Sequence, residues 1–153
     1  MYEYIVKAAA MYSMEQYEVS NFAMPGMRAR HNSGYWRDEP YVGFGPGAHS
    51  YDGDNVRSSN PSDLKAYIMS DGMPEREVEV LDEDCLYEEK VLKGLRTIDG
   101  LDLSALKPKY REYAMKMAEP HVKSGRMVQC GDVLRLTEDG IFVSNDIMSD
   151  MML

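Results

Sequence analysis

Apolar residues recur at Ile5, Ala8, Ala9 and Tyr12, the i, i+3, i+4, i+7 spacing of one amphipathic helix from Met1 to about Gln16. No Ser, Thr, Asp or Asn precedes Tyr2, so this helix starts without a side-chain cap. Tyr17 to Phe22 (YEVSNF) then alternates and predicts a short strand, which makes the opening the αβ half of an α/β unit. Pro25-Gly26 breaks the pattern and opens an irregular segment. Tyr41 to Phe44 predicts a second strand running into Gly45-Pro46-Gly47, and residues 50–59 (SYDGDNVRSS) read as a polar loop or domain boundary.

The texture then changes. Asn60 is placed to cap a helix with Pro61 at its first position, an inner face of Leu64, Tyr67 and Ile68, and a stop at Gly72 and Pro74. Glu77 to Val80 alternates as an edge strand. Asp82 caps the following helix, Glu83 and Asp84 suit the positive end of its dipole, and Leu86, Val91, Leu92 and Leu95 predict its buried stripe. A helical turn at Leu103 to Leu106 precedes a helix from about Lys109, with Tyr110, Ala114, Met117 and His121 on one face. Pro120 lacks an N–H and is expected to kink or restart that helix. Met127 to Leu136 predicts a hairpin turning at Gly131-Asp132; Thr137 then caps a last helix burying Ile141, Phe142 and Ile147. Helices, a hairpin and another helix give an α+β module with the outline of a winged helix.

Length and composition narrow this picture. A chain of 153 residues, 44% apolar and 28% charged, is long enough for one domain or two small ones around a buried core. A net charge of -9 repels phosphate backbones, and the last module lacks a basic recognition face, so no nucleic-acid partner is expected. No apolar run approaches the roughly 20 residues a membrane helix needs, and the opening residues do not read as a secretion signal; the expected location is cytoplasmic. Cys85 and Cys130 form no CxxC and read as two reduced thiols. Most of the thirteen methionines read as flexible packing. The carboxylates of Glu75 to Glu89 read as a solvated face.

The chemistry concentrates in His31 to Tyr51, which holds two of the three histidines, the tryptophan, and glycines at 43, 45 and 47. Gly43-Phe44-Gly45-Pro46-Gly47-Ala48 fits the GxGxxG/A spacing of dinucleotide sites. That fingerprint requires a helix next, whereas His49-Ser50-Tyr51-Asp52-Gly53-Asp54 starts one poorly. The alternatives are a tight turn using positive φ, or a loop whose bare backbone approaches another ligand. His31, beside Tyr35 and Trp36, reads either as a metal-ligating imidazole in an aromatic pocket or as a hydrogen-bonded residue fixing a loop. His49 reads the same two ways, with less steric cover around it. His121 lies on an apolar helix face and is expected to be a satisfied core or boundary histidine. There is no GxSxG, and neither cysteine neighbours a histidine, so no nucleophile–base pair is visible and no catalytic residue is assigned.

The segments Tyr17 to Ala23 (YEVSNFA), Arg30 to Trp36 (RHNSGYW) and Gly43 to Ser50 (GFGPGAHS) resemble the later part of oxygen-independent coproporphyrinogen III oxidase-like proteins. These are radical S-adenosylmethionine (SAM) proteins, and one branch comprises haem chaperones. Glu89, Gly94-Leu95-Arg96, Gly100 to Leu103 and Leu134 to Gly140 resemble that family's C-terminal domain. The resemblance implies residues 1–59 as the end of an incomplete (β/α) radical SAM barrel and 60–153 as a helical, winged-helix-like domain. It implies S-adenosylmethionine, a [4Fe–4S] cluster and haem or a porphyrin as ligands of a longer parent. The family's CxxxCxxC, which holds the cluster, is absent here, so the chain alone is expected to bind no cofactor and catalyse nothing. His31, Gly43, Gly45, Gly47, Ala48 and His49 are the cofactor-contacting candidates the resemblance implies, with no metal ligand among them. The HNxxYW element favours the haem-chaperone branch; a decarboxylating oxidase and a cofactor-free interaction module are the alternatives. Surface left bare by a truncated barrel would favour self-association.

Overall fold

Tyr87, Val91 and Leu95 stand four residues apart, and that spacing lines them along one side of α4 (Glu83–Arg96). This phase differs from the expected stripe. The ring of Tyr87 takes the inward position instead of Leu86, and Leu92, one helical step from Val91, is exposed. Tyr87 stacks on Tyr110 at 4.9 Å between centroids and donates its hydroxyl to Met151 O at 2.9 Å. As expected, Asp82 Oδ1 accepts from the Cys85 amide at the start of the helix.

The computed structural model describes residues 1–71 and 73–153. They form two units, one of Met1–Ser33 with Tyr87–Leu153, the other Gly34–Leu86. In the first, α4 is followed by β6 (Leu101–Asp102), a 3-10 turn at Leu103–Ala105, α5 (Pro108–Lys123), and the hairpin β7 (Met127–Cys130) and β8 (Val133–Leu136). The sheet order is β6-β8-β7, all antiparallel, so the expected hairpin gains a two-residue third strand and keeps the winged-helix outline. Helix α5 runs through Pro120 instead of restarting. The missing amide removes one bond near the helix end, and Ser124 N–H still donates to Pro120 O.

The single final helix expected after Thr137 is two. Thr137 Oγ1 accepts from Gly140 N to cap α6 (Glu138–Ile141), and α7 (Ser144–Asp150) follows a break at Phe142-Val143. Ile147 is fully buried; Phe142 is exposed, turned instead onto Tyr2 in an edge-to-face contact at 5.2 Å.

The N-terminal residues depart further from expectation. Helix α1 covers only Tyr2–Met11, and its half-buried side carries Tyr2, Val6 and Ala9, leaving Ile5 and Tyr12 exposed. Its first residue has no side-chain cap, as expected. The predicted strand at 17–22 is a hairpin of β1 (Glu15–Glu18) and β2 (Asn21–Ala23). The reason is Glu18. Its buried carboxylate accepts from Ser20 N and Asn21 Nδ2, which folds the chain back at Val19-Ser20, and it pairs with Arg96 at 3.3 Å.

The second unit is built differently. Residues 50–59, expected as loop, contain most of β3 (His49–Tyr51) and all of β4 (Val56–Ser59), joined by a turn in which Asp52 Oδ1 accepts from the Asp54 and Val56 amides. β5 (Glu77–Val80) pairs with β4 and is the sheet edge, as its alternation predicts. The expected strand at 41–44 is reduced to one bridge between Tyr41 and Tyr51. The irregular segment after Pro25-Gly26, in the first unit, runs into the unexpected α2 (Arg30–Trp36), whose residues from Gly34 belong to the second. α3 (Leu64–Met69) is capped by Asp63 Oδ1, not Asn60, and Leu64 and Ile68 are exposed, so of the expected inner face only Tyr67 is partly covered. The stop expected at Gly72 lies outside the described residues. No described helix is long and apolar enough to cross a membrane.

Candidate functional site

The glycine loop belongs wholly to the second unit. Gly43 is required by close approach: a Cβ there would lie 2.1 Å from the carbonyl oxygen of His49. Gly45 and Gly47 adopt φ of +107° and +67°, the left-handed side that glycine enters without a steric penalty. The loop exits into β3, not into a helix, which removes the helix N-terminus a dinucleotide fold would use. Its amides are also committed. Gly43 N donates to Ser50 Oγ at 3.0 Å, Gly45 N to Tyr67 Oη at 3.0 Å, Gly47 N to Pro61 O at 3.0 Å and Ala48 N to Gly45 O at 3.3 Å. With these donors already engaged within the unit, the loop has few left for a pyrophosphate.

What the loop presents instead is bare surface. A Cβ added at Gly45 would meet nothing within 4 Å, and Phe44 beside it is 85% exposed. Val42 is exposed as well. An unshielded backbone with apolar flanks suits van der Waals contact with a flat or bulky apolar group. His49, the first residue of β3 opposite Ser59, is exposed; Ala48 is half-buried. Nearby in the same unit the rings of Tyr35, Tyr41 and Tyr51 form a chain, with centroids 4.7 Å and 6.3 Å apart.

His31 is an exposed residue of α2 and falls in the other unit, so the candidate residues divide between the two. His121 is buried with Nε2 3.2 Å from Asp150 Oδ2, the satisfied histidine its helix face predicts. Cys85 and Cys130 are exposed thiols not joined in a disulfide, and no three His, Cys, Asp or Glu among the described residues gather as a metal site. The side chains of this chain therefore do not fit an iron–sulfur cluster. A groove of about 490 Å³ lies in the first unit between α1 and α6, with Val6, Ile141 and Phe142 as apolar wall and Glu3, Lys7 and Glu138 among its charged residues.

Sequence reasoning missed the residues that hold the loop. Asn60 reads as a helix cap and Tyr67 as a core residue. Nothing in their spacing shows that both turn back on Gly45.

The chain is 37% identical over 113 residues to heme chaperone HemW of Bacillus subtilis. It is 34% identical over 140 residues to HemW of Mycobacterium tuberculosis. These alignments cover 72% and 89% of the chain but only 30% and 34% of those relatives, so the chain spans about a third of their length. A radical S-adenosyl methionine domain-containing protein 1, mitochondrial, from Danio rerio is 34% identical over 111 residues, covering 66% of the chain and 25% of that relative. No family model matches the chain. Among solved structures, coproporphyrinogen III oxidase (HemN) from Escherichia coli aligns with a TM-score of 0.69 over 97% of this chain and 39% of that one; at 18% identity this likeness carries the fold alone. By its sequence relatives, the chain belongs to the radical S-adenosylmethionine family of heme chaperone HemW, of which it spans about a third.

Proposed function

We propose that the parent protein is a cytoplasmic haem chaperone and that residues 43–50 form part of a wall against its ligand. The observation that supports this most is the side-chain-free surface at Gly45 flanked by exposed Phe44 and Val42, in a chain whose relatives are heme chaperones. A porphyrin face is flat and apolar, and contact with bare backbone and an aromatic ring suits it. His49, exposed beside the loop, would supply an imidazole nitrogen of the kind by which haem iron is commonly held, and His31, exposed in the other unit, is a separate candidate. In the parent, S-adenosylmethionine and a [4Fe–4S] cluster would supply radical chemistry when bound. The cluster's cysteines would come from outside this chain, whose own part is to offer the loop surface and the imidazoles. On this reading the chain by itself catalyses nothing.

A haem titration of the full-length protein tests the proposal, with His31→Ala and His49→Ala alongside. Loss of affinity or a shifted Soret band in one variant identifies that residue as a ligand; unchanged spectra and affinity in both remove the two from the ligand set. The second reading, an oxidase that decarboxylates coproporphyrinogen III, is favoured by the fold likeness to HemN. Reconstituted full-length protein that yields no protoporphyrinogen, with its cluster intact, would eliminate it. Taken alone, the chain exposes Ile68, Met69 and Val80 and should self-associate. A purely monomeric sedimentation profile at high concentration would contradict this.

A further inference from the structure

We infer that Asn60 and Tyr67 are positioning residues that hold the glycine loop in its ligand-ready shape. They belong to the functional site and not to a separate helical domain. The inference rests on the proposed role of residues 43–50.

Asn60 is 5% exposed, and burying an amide is costly unless its polar atoms are paired. Its Nδ2 donates to Gly45 O at 2.9 Å and its backbone N–H donates to Ala48 O at 2.9 Å. Its Oδ1, equally buried, has no hydrogen-bond partner. The helix that follows is capped by Asp63, so the Asn60 side chain is not spent as its cap. The side chain is aimed at Gly45, and with its backbone N–H on Ala48 the residue ties both ends of Gly45 to Ala48.

Tyr67 approaches Gly45 through the other backbone group. Its hydroxyl accepts from Gly45 N at 3.0 Å, so both polar groups of Gly45 are fixed by side chains 15 and 22 positions away. The rest of α3 shows why this contact is specific. Leu64, Lys65, Ala66, Ile68 and Met69 are exposed, and Tyr67 is the helix residue that is not. A six-residue helix that buries no apolar face is placed by what its tyrosine holds. Without these clamps Gly45 and Gly47 would sample many conformations, and a ligand would have to order them on arrival.

Tyr67→Phe tests this, because it keeps the ring and removes only the accepting oxygen. In the 153-residue chain the Gly45 amide should exchange with solvent roughly two- to ten-fold faster, the range expected for one lost hydrogen bond. The core amides of Val91 and Leu95 should be unchanged. Unchanged Gly45 exchange in both Tyr67→Phe and Asn60→Ala would overturn the inference. In the full-length protein, haem affinity should fall by a similar factor in Tyr67→Phe while its thermal midpoint stays put. Phe44→Ser separates the two ideas, because it removes the exposed apolar ring without straining the Gly45 backbone. If Phe44→Ser lowers haem affinity and Tyr67→Phe does not, positioning fails while the loop's role stands. If Phe44→Ser leaves haem affinity unchanged, the loop is not a ligand wall, and the Gly45 exchange rate alone decides whether Tyr67 and Asn60 hold it.

Discussion

The two units reach their shape by different means. In Met1–Ser33 with Tyr87–Leu153, helices α4, α5 and α7 and the three-stranded sheet enclose one apolar cluster in which Val91, Leu103, Ala114, Ile147 and Met151 are fully buried. In Gly34–Leu86 the buried apolar residues among those described are Tyr51 and Leu81, beside buried Ser50 and Asn60. That unit is shaped by strand pairing, a chain of tyrosine rings and side chains bonded to loop backbone. Apolar burial is non-directional and cooperative, whereas each hydrogen bond exchanges against water for a small net gain. A unit of the second kind can hold precise backbone geometry at a binding surface but resists opening less. Its amides should therefore exchange ahead of those of Val91 and Leu95. Equal protection in both would erase the distinction.

The largest effect is expected in the apolar core. Ile147→Ala, at a fully buried position, should cost about 2–5 kcal/mol in denaturant unfolding. A loss below about 1 kcal/mol would mean the core is looser than its burial indicates. Next is the polar bridge of the same unit. Arg96→Ala leaves the buried Glu18 carboxylate without its charged partner and should cost about 1.5–3 kcal/mol, provided the Ser20 and Asn21 bonds survive.

Gly43→Ala transfers the test to the loop. Its Cβ would collide with the His49 carbonyl, so β3 must shift, at about 1–3 kcal/mol of local stability. Amides of residues 43–51 should lose exchange protection while those of the helical core keep theirs. The smallest mutational effect is expected at the surface pair Arg111–Asp132, where Arg111→Ala should change stability by less than about 1 kcal/mol.

Acid titration compares one carboxylate from each unit. Asp102 is held below its ordinary value of 3.8 by the Ser104 hydroxyl and then its amide, and Asp52 by the Asp54 and Val56 amides. A depressed folded pKa stabilises above the unfolded value and loses that contribution as pH falls through the folded one. Both turns should therefore stay intact down to pH 3.8 and loosen below it. Carboxyl chemical shifts followed against pH check this; a midpoint above 3.8 for either residue would contradict its bonding. Tyr87, raised by burial and then by Tyr113 and Glu88, should be among the last tyrosines to ionise in an absorbance titration.

Where one local rule sufficed, the structure was legible from the residues. Asp82 and Thr137 cap helices, Gly131-Asp132 turns a hairpin, and Glu77 to Val80 forms an edge strand, because each depends on neighbours in sequence. Pattern reading went astray where distant partners decide. Glu18 turns a predicted strand into a hairpin with help from Arg96, 78 positions away. Tyr87 takes the inward place expected for Leu86 because Tyr110 and the Met151 carbonyl await its ring and hydroxyl.

The same division holds for the loop between Gly43 and Ser50. Its glycines, its flanking histidines and its likeness to a radical SAM family are properties of the residue order, and they follow from which residues tolerate positive φ and close approach. That the loop uses its own amides, presents bare surface at Gly45 and is clamped by Asn60 and Tyr67 is decided by the tertiary structure. Hydrogen bonds between residues 15 and 22 positions apart leave no periodicity to read, because only the folded chain brings their donors and acceptors within reach.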